Sequence, residues 1–555
     1  MRSIVLALAL LASVVGCVSI QEATPNLTPA QPSPTTTPPT NSPPTLMPTL
    51  TPTPVIASPS GPAPGSVAPT ATPASPATAP PSAPPSGRPT FSSVDDAYHQ
   101  TVDWHSCSVS GVPGACANVY VPTVYEQPDA GTTALAVARF PATGVAQGDL
   151  LTNPGGPGEP GIDFAAELAS AALTLSSSYN FVGFDPRGTG QSDPLTCLDT
   201  QDLDALNAFD PTPDSPQERE QGIQLVDEQG AACQQNSGLL AAHVSTIEAA
   251  RDMDVIRAVL GDDKLDYFGF SYGTFLGTTY AALFPDKVDR FVLDGALAPG
   301  LSAMQVAEIQ NQGLETEFEA YISNCVKTES SCPVGESLSA GETTLRDLLV
   351  SVDSTPLPTG DPARPLTQAL AFAGIIDAMY TPQSWPDLST AVAAALAGNG
   401  APLLAMSDQY YDRSNGRYVD NVAQANQAIS CLDEEIAGGP TTASESKFLA
   451  DSPIAGDIMY GFADRGCGDW PLKTSLTAPD YHAPGTPPIV VVGTTRDPAT
   501  PLVWAQELAK TLDNGVLLTR DGDGHTAYLS GNPCIVSAVN TFLVEGTPPA
   551  DGTRC

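Results

Sequence analysis

The chain has 555 residues, enough for two or three domains, and sets 61 Asp plus Glu against 22 Lys plus Arg for a net charge of −39. A surface that acidic repels phosphate backbones, which excludes nucleic acid as a partner and keeps the protein soluble. Of the 11 cysteines, Cys17 stands apart near the N-terminus. The even remainder reads as disulfides of an exported protein and not as metal ligands, since no pair shows C-x-x-C spacing.

In chain order, the first predicted element is a targeting segment. Arg2 precedes an apolar run from Ile4 to Val15, too short to span a bilayer. The run ends in Val14-Val15-Gly16-Cys17, which resembles a bacterial lipobox. The expectation is a lipoprotein signal peptide over 1–16, cleavage before Cys17 and lipidation of its thiol. The chain would then be held on the outer face of a bacterial cell membrane, with an ordinary signal peptide and secretion as the alternative. Residues 17–90 are rich in Pro, Thr, Ser and Ala, almost uncharged and without period. Such a segment buries too little apolar surface to offset chain entropy, so it reads as a disordered tether.

Order is predicted from Phe91. "VYVPTVYE" and "ALAVARFPA" read as strands, "DLLTNPGGPG" as a third strand running into a Gly-Pro loop, and "NFVGFDPRGTGQSD" as a strand with a loop at its end. In "TIEAARDMDVIRAVLG", Ile247, Ala250, Val255, Ile256 and Val259 recur at helical spacing, and Gly261 stops the helix. Next come strand "KLDYFGF", helix "YGTFLGTTYAALFP" and strand "RFVLDGA". From 299 to 484 helical stretches such as "LTQALAFAGIIDAMY" dominate. The alternation returns in 485–555 with "PIVVVGT", "TPLVWAQELAKTL", "GVLLTR" and "PCIVSAVNTFLVEG". Strands alternating with helices predict an α/β fold with a mainly parallel sheet. Its core would be built from 91–298 and 485–555 and interrupted by a helical cap, 299–484. Pairing sequence neighbours would join Cys107 to Cys116, Cys197 to Cys233, Cys325 to Cys332, Cys431 to Cys467 and Cys534 to Cys555, but spacing does not fix that connectivity.

The chemistry centres on "YFGFSYGTFLG", residues 267–277. Its G-x-S-x-G pattern arises by chance roughly 0.2 times in a chain this long, so the setting must decide. A strand precedes Ser271 and a helix follows at once, as in a nucleophile elbow, and Gly269 and Gly273 supply the small neighbours that so tight a turn needs. A serine needs a base and the base an orienting group, in the order Ser, acid, His. His525 in "DGDGHTAY" follows a strand late in the chain, and Asp497 ends "PIVVVGTTRD". One helix and one strand separate the two, which brings both to one sheet edge. Asp294, Asp521 and Asp523 are the rival acids. His99, His105, His243 and His482 have no comparable setting. Oxyanion donors would be the Tyr272 N–H and one from the "NPGGPG" loop, where only Gly155 and Gly156 offer unobstructed N–H groups.

Taken in order, "NPGGPG", "GFDPRGTGQSDP", "GFSYGTFLGTTYAALFPDKVDRFVLDGA", "GTTRDPATPLVWAQELA", "DGDGHT" and the closing "NPCIVSAVNTFLVEGTPPADGTRC" resemble the secreted α/β-hydrolases of the tripeptidyl aminopeptidase type, relatives of prolyl aminopeptidase. The resemblance covers about 100–555 and is weaker in the insertion. It implies an α/β-hydrolase fold and a serine exopeptidase with Ser271, Asp497 and His525 as its triad, working without metal or cofactor. Glu159-Pro160-Gly161 departs from the pattern, since relatives usually carry a small residue and Ser before the Gly. Clipping from an N-terminus requires an anchor for the substrate ammonium. "AISCLDEE" offers Asp433, Glu434 and Glu435, and the resemblance points to Asp433. The alternatives are an ester or lipid hydrolase with the same triad, taking a small ester in place of a peptide, and a non-catalytic binding lipoprotein.

Overall fold

A computed structural model describes residues 87–329, 331–437, 445–467 and 470–555. Signal peptide 1–16, Cys17 and the tether up to residue 86 lie outside the described residues, as does the Glu435 side chain.

Ten strands form one sheet in the order β1-β2-β3-β5-β4-β6-β7-β10-β11-β12. Strands β1 (His105–Val109), β2 (Val112–Pro122) and β3 (Thr132–Phe140) run antiparallel to their neighbours, so one end of the sheet is a meander. Strands β4 (Gly148–Asn153), β5 (Tyr179–Phe184), β6 (Leu265–Phe270) and β7 (Val288–Asp294) are joined in parallel. So are β10 (Ile489–Arg496), β11 (Gly515–Asp523) and β12 (Thr553–Arg554). Burial explains their sequences: Ile489 to Val492 of β10 are all fully buried, because helices cover both faces and no alternating polar face is tolerated. The "NPGGPG" loop follows the fourth strand and not the third, because a short and mostly exposed strand, β1, pairs ahead of the expected first one.

Helices start where their caps dictate. Ser245 and Glu248 form a capping box at the start of Thr246–Leu260, and Gly261 ends that helix at φ 88°. Between β5 and β6 the chain also builds helices Thr200–Asn207 and Pro216–Ser237, which no predicted element covers.

The chain leaves β7 at Asp294 and returns as its immediate neighbour β10, with Ile489 opposite Phe291 and Val492 opposite Asp294. The intervening residues form helices, including Ala303–Thr328, Leu338–Ser354, Gln368–Met379, Trp385–Leu396, Ala401–Tyr410, Val422–Ala437 and Gly456–Arg465. A two-strand hairpin sits among them, β8 (Arg413–Ser414) with β9 (Arg417–Tyr418). Phe318, Tyr321, Ile322, Leu345, Leu349, Ile375 and Val392 give these helices an apolar core of their own. Five disulfides join Cys107–Cys116, Cys197–Cys233, Cys325–Cys332, Cys431–Cys467 and Cys534–Cys555. No helix of the described residues is long and apolar enough to cross a membrane.

Candidate active site

Ser271 sits between the C-terminal end of β6 and helix Tyr272–Leu283, at φ 54° and ψ −128°. A non-glycine residue there is strained by about 1–3 kcal/mol and persists only when its surroundings over-determine it. They do: Ser271 N donates to Asp294 O (2.9 Å), and Ser271 O accepts from Thr274 N (2.8 Å) and Thr274 Oγ1 (2.6 Å). The flanking glycines are required by space. A Cβ on Gly269 would lie 2.4 Å from Gly273 O, and one on Gly273 2.7 Å from Asn153 O.

The "NPGGPG" loop packs against this turn. A Cβ on Gly155, at φ +115°, would lie 2.9 Å from Ser271 Cβ and 3.0 Å from Tyr272 N. Gly155 N already donates to the Asn153 side chain (3.1 Å) and is buried, whereas Gly156 is exposed and borders the clefts beside Ser271. Of the two glycines, Gly156 is therefore the candidate for the second oxyanion donor.

Asp497 and His525 come together at the ends of β10 and β11. His525 Nδ1 lies 2.9 Å from Asp497 Oδ1 and 3.1 Å from Oδ2. The carboxylate is held by Thr500 N (2.7 Å), Ala499 N (3.0 Å) and Thr526 N (3.0 Å). A carboxylate only accepts, so Nδ1 carries the proton and Nε2 is left as the basic nitrogen. Nε2 is buried and has no hydrogen-bond partner among the described residues. Gly295 connects the imidazole to the elbow: it follows Asp294, whose carbonyl holds Ser271, and a Cβ on it would lie 3.3 Å from His525 Cε1. Ser271 and His525 thus share one sheet edge without a direct hydrogen bond.

The rival acids do other work. Asp294 is fully buried and accepts from Ala527 N (2.9 Å) and Tyr528 N (2.7 Å), which braces the turn after His525. Burial pushes its carboxyl up to about 6. Asp521 and Asp523 bind Arg496. His99, His105 and His482 are exposed, and His243 pairs with Glu248.

Ser271 opens on two clefts of about 350 and 400 Å³, both bordered by Tyr380. The first includes Glu159, Asp377 and Tyr410; the second includes Phe275, Tyr481, Asp433 and Glu434. Asp433 accepts from Thr246 N (2.9 Å) and Thr246 Oγ1 (2.5 Å), at the N-terminus of a helix. Thr246 Oγ1 also bonds the Tyr272 hydroxyl. Burial pushes the Asp433 carboxyl up to about 7 in spite of these bonds. Glu434 is also pushed up by burial, and its Oε2 has no partner among the described residues.

Two contacts could not be read from sequence. Tyr380, from the insertion, sets its ring edge on His525 (centroids 5.2 Å) and accepts from His525 N (2.9 Å). Glu317, on helix Ala303–Thr328, is fully buried, with neither oxygen hydrogen-bonded to a described residue. Burial, with Asp523 and Asp497 adding to it, pushes its carboxyl up to about 9. The Arg496 guanidinium opposes this weakly.

Residues 452–555 match the family described as "TAP-like protein". Serine protease Hip1 of Mycobacterium tuberculosis is 37% identical over 482 residues, 82% of this chain and 91% of that protein. Carboxylesterase B of the same organism is 34% identical over 468 residues, covering 81% and 89%. Tripeptidyl aminopeptidase of Streptomyces coelicolor is 30% identical over 469 residues, covering 82% and 86%. With a mostly parallel sheet, a serine elbow and relatives aligned over four-fifths of its length, the chain belongs to the TAP-like family of α/β-hydrolases and is a hydrolase.

Proposed function

We propose that this protein is a serine exopeptidase that releases short peptides or single residues from the N-termini of peptides. Ser271 attacks the scissile carbonyl while His525 Nε2 takes its proton, and Asp497 holds the imidazole and stabilises it once charged. The oxyanion rests on the Tyr272 and Gly156 N–H groups. His525 then protonates the leaving amine, and water cleaves the acyl-enzyme. The observation that carries the hydrolytic reading is the buried, unpartnered Nε2 of His525, on a ring pinned by Asp497 at the edge that bears Ser271.

The exopeptidase reading is supported by two carboxyl groups, Asp433 and Glu434, in a cleft that reaches Ser271. A substrate ammonium would draw out their ionised forms. The names of the Hip1 and tripeptidyl aminopeptidase relatives agree with a peptide substrate. A second reading, an ester hydrolase, draws on the Thr246 bonds that already occupy both oxygens of Asp433 and on the carboxylesterase relative. In either case residues 299–484 act as a cap over a core of 91–298 and 485–555. Residues 17–90 tether that core to a lipid on Cys17 outside the cell membrane.

A panel of free and N-acetylated peptides beside short-chain esters tests the assignment. Free peptides should be cleaved and acetylated ones poorly. Equal cleavage of both removes the anchor, and turnover of esters alone leaves only the esterase.

A further inference from the structure

We propose that Glu315, Glu319 and Glu342 form a calcium site that clasps two helices of the insertion. Glu315 and Glu319 lie one turn apart on helix Ala303–Thr328, and Glu342 lies on helix Leu338–Ser354. One carboxylate oxygen from each lies within 4.8 Å of the other two. The helices are locked at this height by close packing, since a Cβ on Gly341 would lie 2.3 Å from Ile322 Cγ2.

The arrangement lacks a counter-charge. Like charges one turn apart on a helix repel, and Glu342 adds a third. Among the described residues no Lys, Arg or His pairs with any of them: Arg346 goes to Asp347, and Lys447 to Glu308 and Asp451. The second observation is Glu315 itself, which is only 6% exposed. Its Oε2 accepts from Ser452 Oγ (2.6 Å) and Ile454 N (3.4 Å), which fixes the carboxylate. Its Oε1 is buried with no hydrogen-bond partner among the described residues. A buried carboxylate oxygen left in this way is costly unless something binds it.

Three hard oxygen donors without nitrogen or sulfur select calcium or magnesium. Magnesium keeps several waters and is usually held by one or two carboxylates, whereas calcium takes about 6–8 oxygens in flexible geometry, so three carboxylates brought together from two helices suit calcium, with water completing the sphere on the exposed Glu319 side. The site also bears on the hydrolytic centre. Two residues before Glu315, a Cβ on Gly313 would lie 2.9 Å from Asp497 O, so this helix is the floor of the Asp497 loop.

The test is thermal unfolding of the full chain in EDTA, in calcium and in magnesium, compared with the Glu319→Gln/Glu342→Gln variant. Calcium should raise the wild-type midpoint saturably, by linkage to the folded state, and more than magnesium does. The variant should lose that rise, and in EDTA it should melt above wild type because the repulsion is gone. Terbium luminescence should report one site per chain, competed by calcium and weakened about 10-fold or more by either single Gln change. No saturable rise in wild type at millimolar calcium, an undiminished rise in the variant, or a variant less stable than wild type in EDTA would each overturn the proposal.

Discussion

Two buried acid–base pairs in this protein look alike and are used differently. Arg187 and Asp252 are both inaccessible, and every N–H of the guanidinium is engaged. Nε and Nη2 reach Asp252 (2.7 and 2.6 Å), Nη1 reaches the carbonyls of Thr123 and His243, and Nη2 also reaches that of Pro122. Tyr125 adds a hydroxyl to Asp252 (2.8 Å). Asp497 and His525 are as deeply buried, but the pair stops one bond short, at Nε2. A saturated pair has nothing left to offer a substrate and serves to fix the loop after β5. A pair with one basic nitrogen unpartnered, on the sheet edge that bears a strained serine, has what the proposed proton transfer requires. The comparison teaches that two pairs of similar burial can differ in unspent hydrogen-bonding capacity, which the proposed proton transfer requires and a brace does not.

The largest effect follows from breaking the unsaturated pair. Asp497→Asn should lower kcat about 10⁴-fold, because an amide in place of the carboxylate lets Nδ1 become the acceptor and puts the proton on Nε2. Urea unfolding of that variant should stay near wild type, and a loss of activity that tracks a loss of fold would count against the role.

The saturated pair should fail in the opposite way. Arg187→Met leaves the buried Asp252 without its counter-charge and should destabilise the fold by about 3–5 kcal/mol. Arg187→Met/Asp252→Leu should recover most of that loss in equilibrium unfolding. If Arg187→Met is instead as stable as wild type but inactive, the division between brace and machinery is wrong.

The cleft gives a smaller, substrate-dependent effect. Asp433→Asn should reduce kcat/KM for short free-amino peptides roughly 30-fold, about 2 kcal/mol at 1.4 kcal/mol per decade, while a small uncharged ester is spared. The Asp433 carboxyl is raised to about 7, so the ratio of peptide to ester turnover should climb as pH rises through about 7. It should fall again as the substrate amine loses its proton near about 8. A pH-independent ratio would show that Asp433 does not bind the amine.

A further effect, read in stability against pH and not in turnover, concerns Glu317. Its carboxyl is raised in the fold from an ordinary 4.5 to about 9. The folded state therefore holds a proton that the unfolded chain releases. That contribution to stability is full below about 4.5 and is lost as pH rises through about 9. Glu317→Gln, neutral throughout, should flatten the decline in melting temperature over that window. Parallel curves for the two proteins would show that Glu317 carries its charge some other way.

Much of this was legible where the signal is local. Ser271 could be read because a run of strand residues, two glycines and a helical period meet within eleven residues, and His525 and Asp497 because each ends a strand on the same edge. The α/β alternation gave the sheet for the same reason. What escaped depends on contacts between distant segments. Whether Gly155 or Gly156 keeps a free N–H is decided by the Asn153 side chain. Tyr380 reaches His525 only because the insertion folds back over the sheet, and Glu317 looks like any surface acid in its helix until the Asp497 loop covers it. Helix Pro216–Ser237 did carry a signal, the Ser215/Glu218 capping box, but its apolar face is weak and the surrounding Gln and Glu residues mask it.

The central claim, that Ser271 is the nucleophile and His525 its base, is tested most directly by stoichiometric labelling with a fluorophosphonate followed by peptide mapping. One label per chain should fall on Ser271, be absent from Ser271→Ala and be slowed by orders of magnitude in His525→Ala, with all three proteins unfolding alike. Label on another residue, or unchanged labelling rates in a folded His525→Ala protein, would contradict it.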